Sequence, residues 1–375
     1  MPAIQPGSLV LLTGASGYLA THILVQLLQR GFRVRGTVRS ADKGQYLERM
    51  LEREGVKGDV EFVVVDNVEK ARHRYEAFCV HQTDSQRYNQ PDAFSEATKG
   101  CDAIVHTASP FHFNVSTPSE LIDPAVRGTL SALKAADAEK SVQRVVVTAS
   151  FACVVEPHEP GTYTFTEKDW NEYSIKQVEE KGDACDKSQM YRASKTLAER
   201  AAWGFLSSTQ PAPAFDLVTI QPPLIFGGPL YHDVPTADKL NTSVNNFYQF
   251  LAGNKGADDA QVGFGSFVDV RDVALVHVES LLREEAGGER FLVATDDSSY
   301  QPLLDTFFAH APPALQAAFP NAQRGNAGQA KPKANRIDTS KVRGVFGWTP
   351  RSMEDTVLSM AQSLADYQEK WAAAA

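Results

Sequence analysis

Tyr191 and Lys195, four positions apart, are the pair in this sequence best suited to moving a proton. They lie in Met190-Tyr191-Arg192-Ala193-Ser194-Lys195, which opens a long helical pattern, and the i to i+4 spacing puts both side chains on one face. A phenol ordinarily titrates near 10, so proton transfer at neutral pH asks for a shift of roughly three units, or about 4 kcal/mol. A neighbouring ammonium stabilises the phenolate and would supply much of that shift. Ser150 closes the apolar run Val147-Thr148-Ala149-Ser150, where its hydroxyl would stand at a strand end, ready to hold a substrate oxygen.

A second group of residues points to a bound dinucleotide. The segment Thr13-Gly14-Ala15-Ser16-Gly17-Tyr18-Leu19-Ala20 joins the strand-like Leu9–Leu12 to a helical stretch, Thr21 to Arg30, that closes at Gly31. Gly14 allows a tight turn, Gly17 lets backbone N–H groups approach a pyrophosphate, and Ala20 lets helix and strand pack closely. After the second strand comes Gly36-Thr37-Val38-Arg39-Ser40, with no acid where an NAD site presents one to the adenosine ribose. Arg39, with Lys43 and Arg35 nearby, suits a 2′-phosphate instead, which favours NADP over NAD. Asp66 and Asn67 after the third strand, and Thr107-Ala108-Ser109 after the fourth, are expected along the dinucleotide.

These turns need a scaffold that brings strand ends together. Short β-rich runs at Leu9–Leu12, Val34–Val38, Val60–Val65, Ala103–His106, Arg144–Thr148 and Leu217–Ile220 alternate with amphipathic stretches. That alternation predicts an α/β fold, a doubly wound parallel sheet covered on both faces, with ligand loops at the carboxyl ends of the strands. Residues 1–221 are expected to form this nucleotide-binding unit. From about residue 222, with Pro222, Pro223, Gly227, Gly228, Pro229 and Pro235 interrupting, the pattern loosens, and residues 222–375 are expected to form mainly a smaller substrate lobe, some segments returning to the first unit. That part also carries a helix-like run at Val270–Arg283, a strand at Phe291–Ala294 and a last helix at Ser352–Trp371.

The TGxxGxxA turn, Ser150 and the YxxxK pair resemble the extended short-chain dehydrogenase/reductase family. Four further segments are similar to its branch of dihydroflavonol reductases, cinnamoyl-CoA reductases and fungal aldehyde and ketone reductases: Gly7–Val10, Lys99–Pro110, Phe267–Ala274 and Asp338–Lys341. The resemblance implies a Rossmann fold and NADPH-dependent reduction of a small aldehyde or ketone. Tyr191 would donate the proton, Ser150 would bind the carbonyl oxygen, and Lys195 would bind the nicotinamide ribose while lowering the tyrosine pKa. Pro222, Leu224 and Ile225 would back the nicotinamide. Loop position alone nominates Phe111, His112, Phe113, Gln189, Tyr231 and His232 as substrate-facing. His106 and His277 read as packed, hydrogen-bonded side chains rather than metal ligands, and no metal is expected. One stretch departs from the family spacing: deleting residues 71–90 restores it, so they are either a translated intron or a lineage-specific surface loop.

Two other functions are open to the same motifs: an NAD-dependent nucleotide-sugar epimerase or dehydratase, which Arg39 disfavours, and a non-catalytic cofactor-binding regulator, which has no need of Ser150, Tyr191 and Lys195 together. A net charge of −9, from 37 Lys and Arg against 46 Asp and Glu, with the basic residues scattered, argues against nucleic acid or anionic membranes as partners. The 4 cysteines form no CxxC pair, which fits a reducing compartment. With no signal-peptide pattern and no long apolar run, the expectation is a cytoplasmic protein, monomeric or homodimeric.

Overall fold

The computed structural model describes residues 4–65, 93–109, 115–295, 297–326 and 335–374. Asp66, Asn67, Phe111, His112, Phe113 and the segment 71–90 lie outside the described residues. Seven parallel strands make the central sheet: β1 (Leu9–Thr13), β2 (Arg33–Val38), β3 (Val60–Val64), β4 (Ala103–His106), β5 (Arg144–Thr148), β7 (Asp216–Gln221) and β10 (Arg290–Leu292). Their spatial order is β10-β7-β5-β4-β1-β2-β3. All six strands expected from sequence form, and the chain reverses its direction of travel across the sheet between β1 and β4. That reversal opens a crevice beyond the carboxyl ends of these two strands.

The central strands β1, β4 and β5 are apolar on both sides because both faces are covered. Leu9 and Leu11 point into a cluster with Ile104, Val145, Leu217 and the helix residues Leu133 and Ala202, while Val10 and Leu12 point into the opposite cluster with Ile23, Leu27 and Val273. The period of two is thus written twice, once for each face. The helices involved are α1 (Tyr18–Gln29), α2 (Ala41–Arg53), α3 (Ser95–Thr98), α4 (Ser119–Ala138), α5 (Glu172–Lys181), α6 (Lys187–Ser208), α7 (Thr242–Leu251) and α8 (Val270–Leu282). α1 packs against α8, and α4 against α6. The first helix begins at Tyr18 rather than Thr21, because Gly17 is itself the extended residue preceding it.

Beyond the main sheet, β8 (Leu224–Phe226) runs parallel to β9 (Gly263–Asp269), which pairs antiparallel with β11 (Asp297–Ser299). A two-stranded parallel pair joins β6 (Thr164–Phe165) to β12 (Arg336–Ile337). Helices α9 (Tyr300–His310), α10 (Pro313–Ala317), α11 (Ser340–Phe346) and α12 (Met353–Ala374) complete this half. β10 belongs to it by sequence, yet it extends the main sheet beside β7.

Fully buried Arg144 of β5 ties the two faces together at the amino edge of the sheet. Its guanidinium makes two 2.7 Å bonds to the Asp216 carboxylate of β7 and donates to the carbonyls of Ser280 (2.7 Å) and Arg283 (2.5 Å). Removing the carboxylate would strand a cation in the core, so Asp216→Ala is expected to cost about 3–5 kcal/mol in urea unfolding. An unchanged transition midpoint would refute that role for the pair.

Candidate active site

At the end of β1 the chain turns sharply: Gly14 adopts φ +68°, its N–H donates to Thr37 Oγ1 at 2.9 Å, and Gly17 N–H returns to the Gly14 carbonyl at 3.0 Å. A Cβ on Gly14 would sit 3.2 Å from the Ala108 backbone, which only a glycine avoids. No side chain caps α1, so the N–H groups of its first turn, including those of Tyr18 and Leu19, are donors for an anion. This fits a pyrophosphate. Across the crevice, the Thr13 hydroxyl receives the N–H groups of Thr107 and Ala108, each at 3.1 Å, and pairs with His106 Nδ1 at 2.9 Å. The hydroxyl proton then goes to Nδ1, which places the imidazole proton on Nε2. Burial lowers His106 to a pKa of about 3, so it stays neutral.

Arg39 stands exposed after β2 and forms no ion pair with another described residue. Lys43, in the first turn of α2, reaches Asp233 at 2.8 Å. Arg35 does not join them. Its guanidinium meets Glu61 at 2.5 Å and donates to the carbonyls of Ala97 (2.9 Å) and Lys99 (2.7 Å), because position 35 lies in mid-strand opposite Glu61 of β3, four residues short of the strand-end Arg39. That corrects the expectation that Arg35 contributes to a phosphate site. An exposed guanidinium and an ammonium near one glycine turn are the donor set a 2′-phosphate requires.

The structure brings Ser150, Tyr191 and Lys195 together. Ser150 is held extended at the end of β5, its Oγ accepting Ala152 N–H at 3.1 Å. Its hydroxyl also bonds the Tyr191 phenol, and Lys195 Nζ lies 5.9 Å from the Tyr191 ring centroid while donating to Ser109 Oγ at 2.6 Å. Burial raises the Tyr191 pKa well above its usual value; the bond from Ser150 opposes this, the Cys153 thiol adds to it and Arg192 opposes it. The expected lowering by Lys195 is therefore not what the structure shows. Burial lowers Lys195 itself to about 8, with the Cys153 thiol opposing. Both groups are desolvated toward neutrality, so the phenol keeps its proton until a reaction demands it.

Behind the pair lies Glu199, one further turn along α6, which the sequence reading overlooked although the i, i+4, i+8 spacing marks it. It is buried and accepts bonds from Thr219 (2.7 Å), Gln221 (2.5 Å) and Arg290 (2.8 Å), with the Arg290 guanidinium 3.7 Å from the Trp170 ring. A cavity of ≈ 20 Å³, lined by Ser109, Thr148, Lys195 and Glu199 among others, has room for one water. His277 caps Thr148 with a 2.7 Å bond. Pro222 accepts Phe151 N–H at 2.9 Å, and Leu224 and Ile225 follow in β8. Gln189 lies two residues before Tyr191 on α6 and accepts from Ser174 at 2.7 Å. Tyr231 does not reach this group: its ring lies 4.8 Å from His22 of α1 and its carbonyl accepts from Tyr46 of α2, so it is corrected to a packing position. His232 is likewise buried beside Tyr18, at 5.3 Å between rings.

Because the unfolded Lys195 holds its proton to about 10.5 and the folded one only to about 8, the cost of burying its charge is fully present below pH 8 and is relieved as pH rises between the two values. Urea titrations of the wild type should therefore gain up to about 1.4 kcal/mol per pH unit in that window relative to Lys195→Met. Identical pH dependence in the two proteins would refute the lowered value.

Residues 12–253 match the family described as Male sterility protein, a nucleotide-binding family. The chain is 34% identical over 364 residues to the ketoreductase azaE of Aspergillus niger, covering 94% of this chain and 97% of that one. It is 32% identical over 296 residues to a cinnamoyl-CoA reductase of Medicago truncatula, with 78% of each covered. The crystal structure of yeast methylglyoxal/isovaleraldehyde reductase complexed with NADPH superposes with a TM-score of 0.79 at 25% identity, over 96% of this chain and 99% of that one. With the glycine turn, the Ser150–Tyr191–Lys195 group and these likenesses together, the chain belongs to the extended short-chain dehydrogenase/reductases, in the branch that holds the ketoreductases and cinnamoyl-CoA reductases.

Proposed function

We propose that this protein is an NADPH-dependent carbonyl reductase that acts on a small aldehyde or ketone, with Tyr191 as the proton donor. The observation that carries the assignment is the Tyr191 phenol, partly buried and hydrogen-bonded to Ser150 at the mouth of a dinucleotide crevice, with Lys195 on the same helix face. Reducing a carbonyl takes a hydride at carbon and a proton at oxygen; bound NADPH supplies the hydride. Ser150 orients the carbonyl oxygen toward Tyr191, and the phenol gives up its proton as negative charge develops there. Lys195 holds the nicotinamide ribose and stabilises the phenolate once charge has moved onto Tyr191. Thr13, Gly14, Ser16, Gly17, Tyr18 and Leu19 cradle the pyrophosphate, Arg39 and Lys43 the 2′-phosphate, Thr107, Ala108 and Ser109 the adjoining ribose, and Pro222, Leu224 and Ile225 one face of the nicotinamide.

Arg39, exposed and without a carboxylate partner among the described residues, weighs against an NAD-dependent epimerase. Among the described residues no helix is long and apolar enough to cross a membrane, and we place the enzyme in the cytoplasm as a monomer or homodimer.

Purified protein should oxidise NADPH in the presence of at least some members of a panel of aldehydes and ketones, and do so better than NADH. Tyr191→Phe should lower kcat by a factor of about 10²–10⁴ while leaving NADPH binding nearly unchanged. No carbonyl-dependent loss of NADPH absorbance, or full activity in Tyr191→Phe, would refute the assignment.

A further inference from the structure

We propose that Asp233 is a built-in competitor for Lys43, an anion of the protein's own that limits how tightly the 2′-phosphate of the cofactor is held. The proposal rests on the assignment of Lys43 to that phosphate. Asp233 comes from the loop after β8, in the other half of the chain from α2, and its carboxylate accepts from Lys43 Nζ at 2.8 Å. Both side chains are about one-third exposed, and Lys43 stands in the first turn of α2, four residues after Arg39.

The loop carrying Asp233 is fixed from several sides. Gly228 N–H and Leu230 N–H donate to Ser359 and Ser363 of α12, each at 3.1 Å. The carbonyls of Tyr231, His232 and Val234 accept from Tyr46 (3.1 Å), Tyr367 (2.7 Å) and Trp371 (2.9 Å). Asp233 is therefore pinned in place, whereas Lys43 swings on a four-carbon stem. When a phosphate binds, Lys43 must be shared between two anions or drawn away from Asp233. Either way part of the attraction is cancelled, while Arg39, which has no carboxylate partner among the described residues, keeps its full charge for the phosphate. The consequence is weaker retention of both redox forms of the dinucleotide, which aids their exchange after each turnover.

Binding measured by fluorescence or calorimetry tests this without turnover. Asp233→Asn should tighten NADPH binding by about two- to fivefold, the scale of a half-exposed ion pair, and leave NADH binding unchanged. Asp233→Ala should act in the same direction, the gain should shrink with added salt, and it should vanish in a Lys43→Met background. Unchanged or weakened NADPH binding in Asp233→Asn, or equal tightening of NADH, overturns the competition. If Lys43→Met itself leaves the preference for NADPH over NADH untouched, the assignment of Lys43 to the phosphate fails, and the proposal with it.

Discussion

The Thr13 hydroxyl is the hinge on which the whole site is hung. It accepts two N–H groups from the turn after β4 and gives its proton to His106, so the two turns flanking the reversal of the sheet are locked at a set separation. A crevice between parallel strands is otherwise lined by loose ends, whose unpaired N–H groups would favour collapse or water. With the hydroxyl consumed inward, the outward-facing donors of α1 are left for a ligand. His106 serves only because burial keeps it neutral; a charged imidazole could not accept from Thr13.

Desolvation then sets the character of the reacting pair. In water an ammonium near a phenol would stabilise the phenolate and lower the phenol's pKa. Here burial opposes charge on both groups, raising one pKa and lowering the other. The protein resolves this conflict by giving Lys195 the neutral hydroxyl of Ser109 as its nearest partner, not the phenolate. The proton is thereby kept on the Tyr191 phenol. The role drawn from the motif alone, in which lysine lowers the tyrosine pKa in advance, belongs to the moment of reaction rather than to the resting state.

Much of this was legible in the sequence, for stated physical reasons. The strands could be read because the central ones are apolar on both faces and the others keep β-branched runs, and the glycine turn because only glycine fits at Gly14, where a Cβ would meet Ala108. Tyr191 and Lys195 were found through helical spacing, a local property. Errors arose where the answer depended on distant segments. Arg35 looked close to Arg39 in the chain, but Glu61 opposite it on β3 and the carbonyls of Ala97 and Lys99 decided its partners. Tyr231 looked like a substrate contact because its loop follows β8; its environment is instead made by α1, α2 and α12. Glu199 was missed because a carboxylate on a helix ordinarily signals solvent, and its burial depends on Arg290, some ninety residues downstream.

The link between Glu199 and Arg290 has a mechanical meaning. β10 carries Arg290 into the central sheet from the later half of the chain, and the ion pair bonds that half directly behind the catalytic helix. Two bodies joined by a shared sheet and a buried ion pair cannot swing apart like jaws without breaking both. Ligand traffic therefore falls to the loops at the carboxyl edge, and evolution can rewrite those loops, and with them the choice of carbonyl, without disturbing the alignment of Ser150, Tyr191 and Lys195.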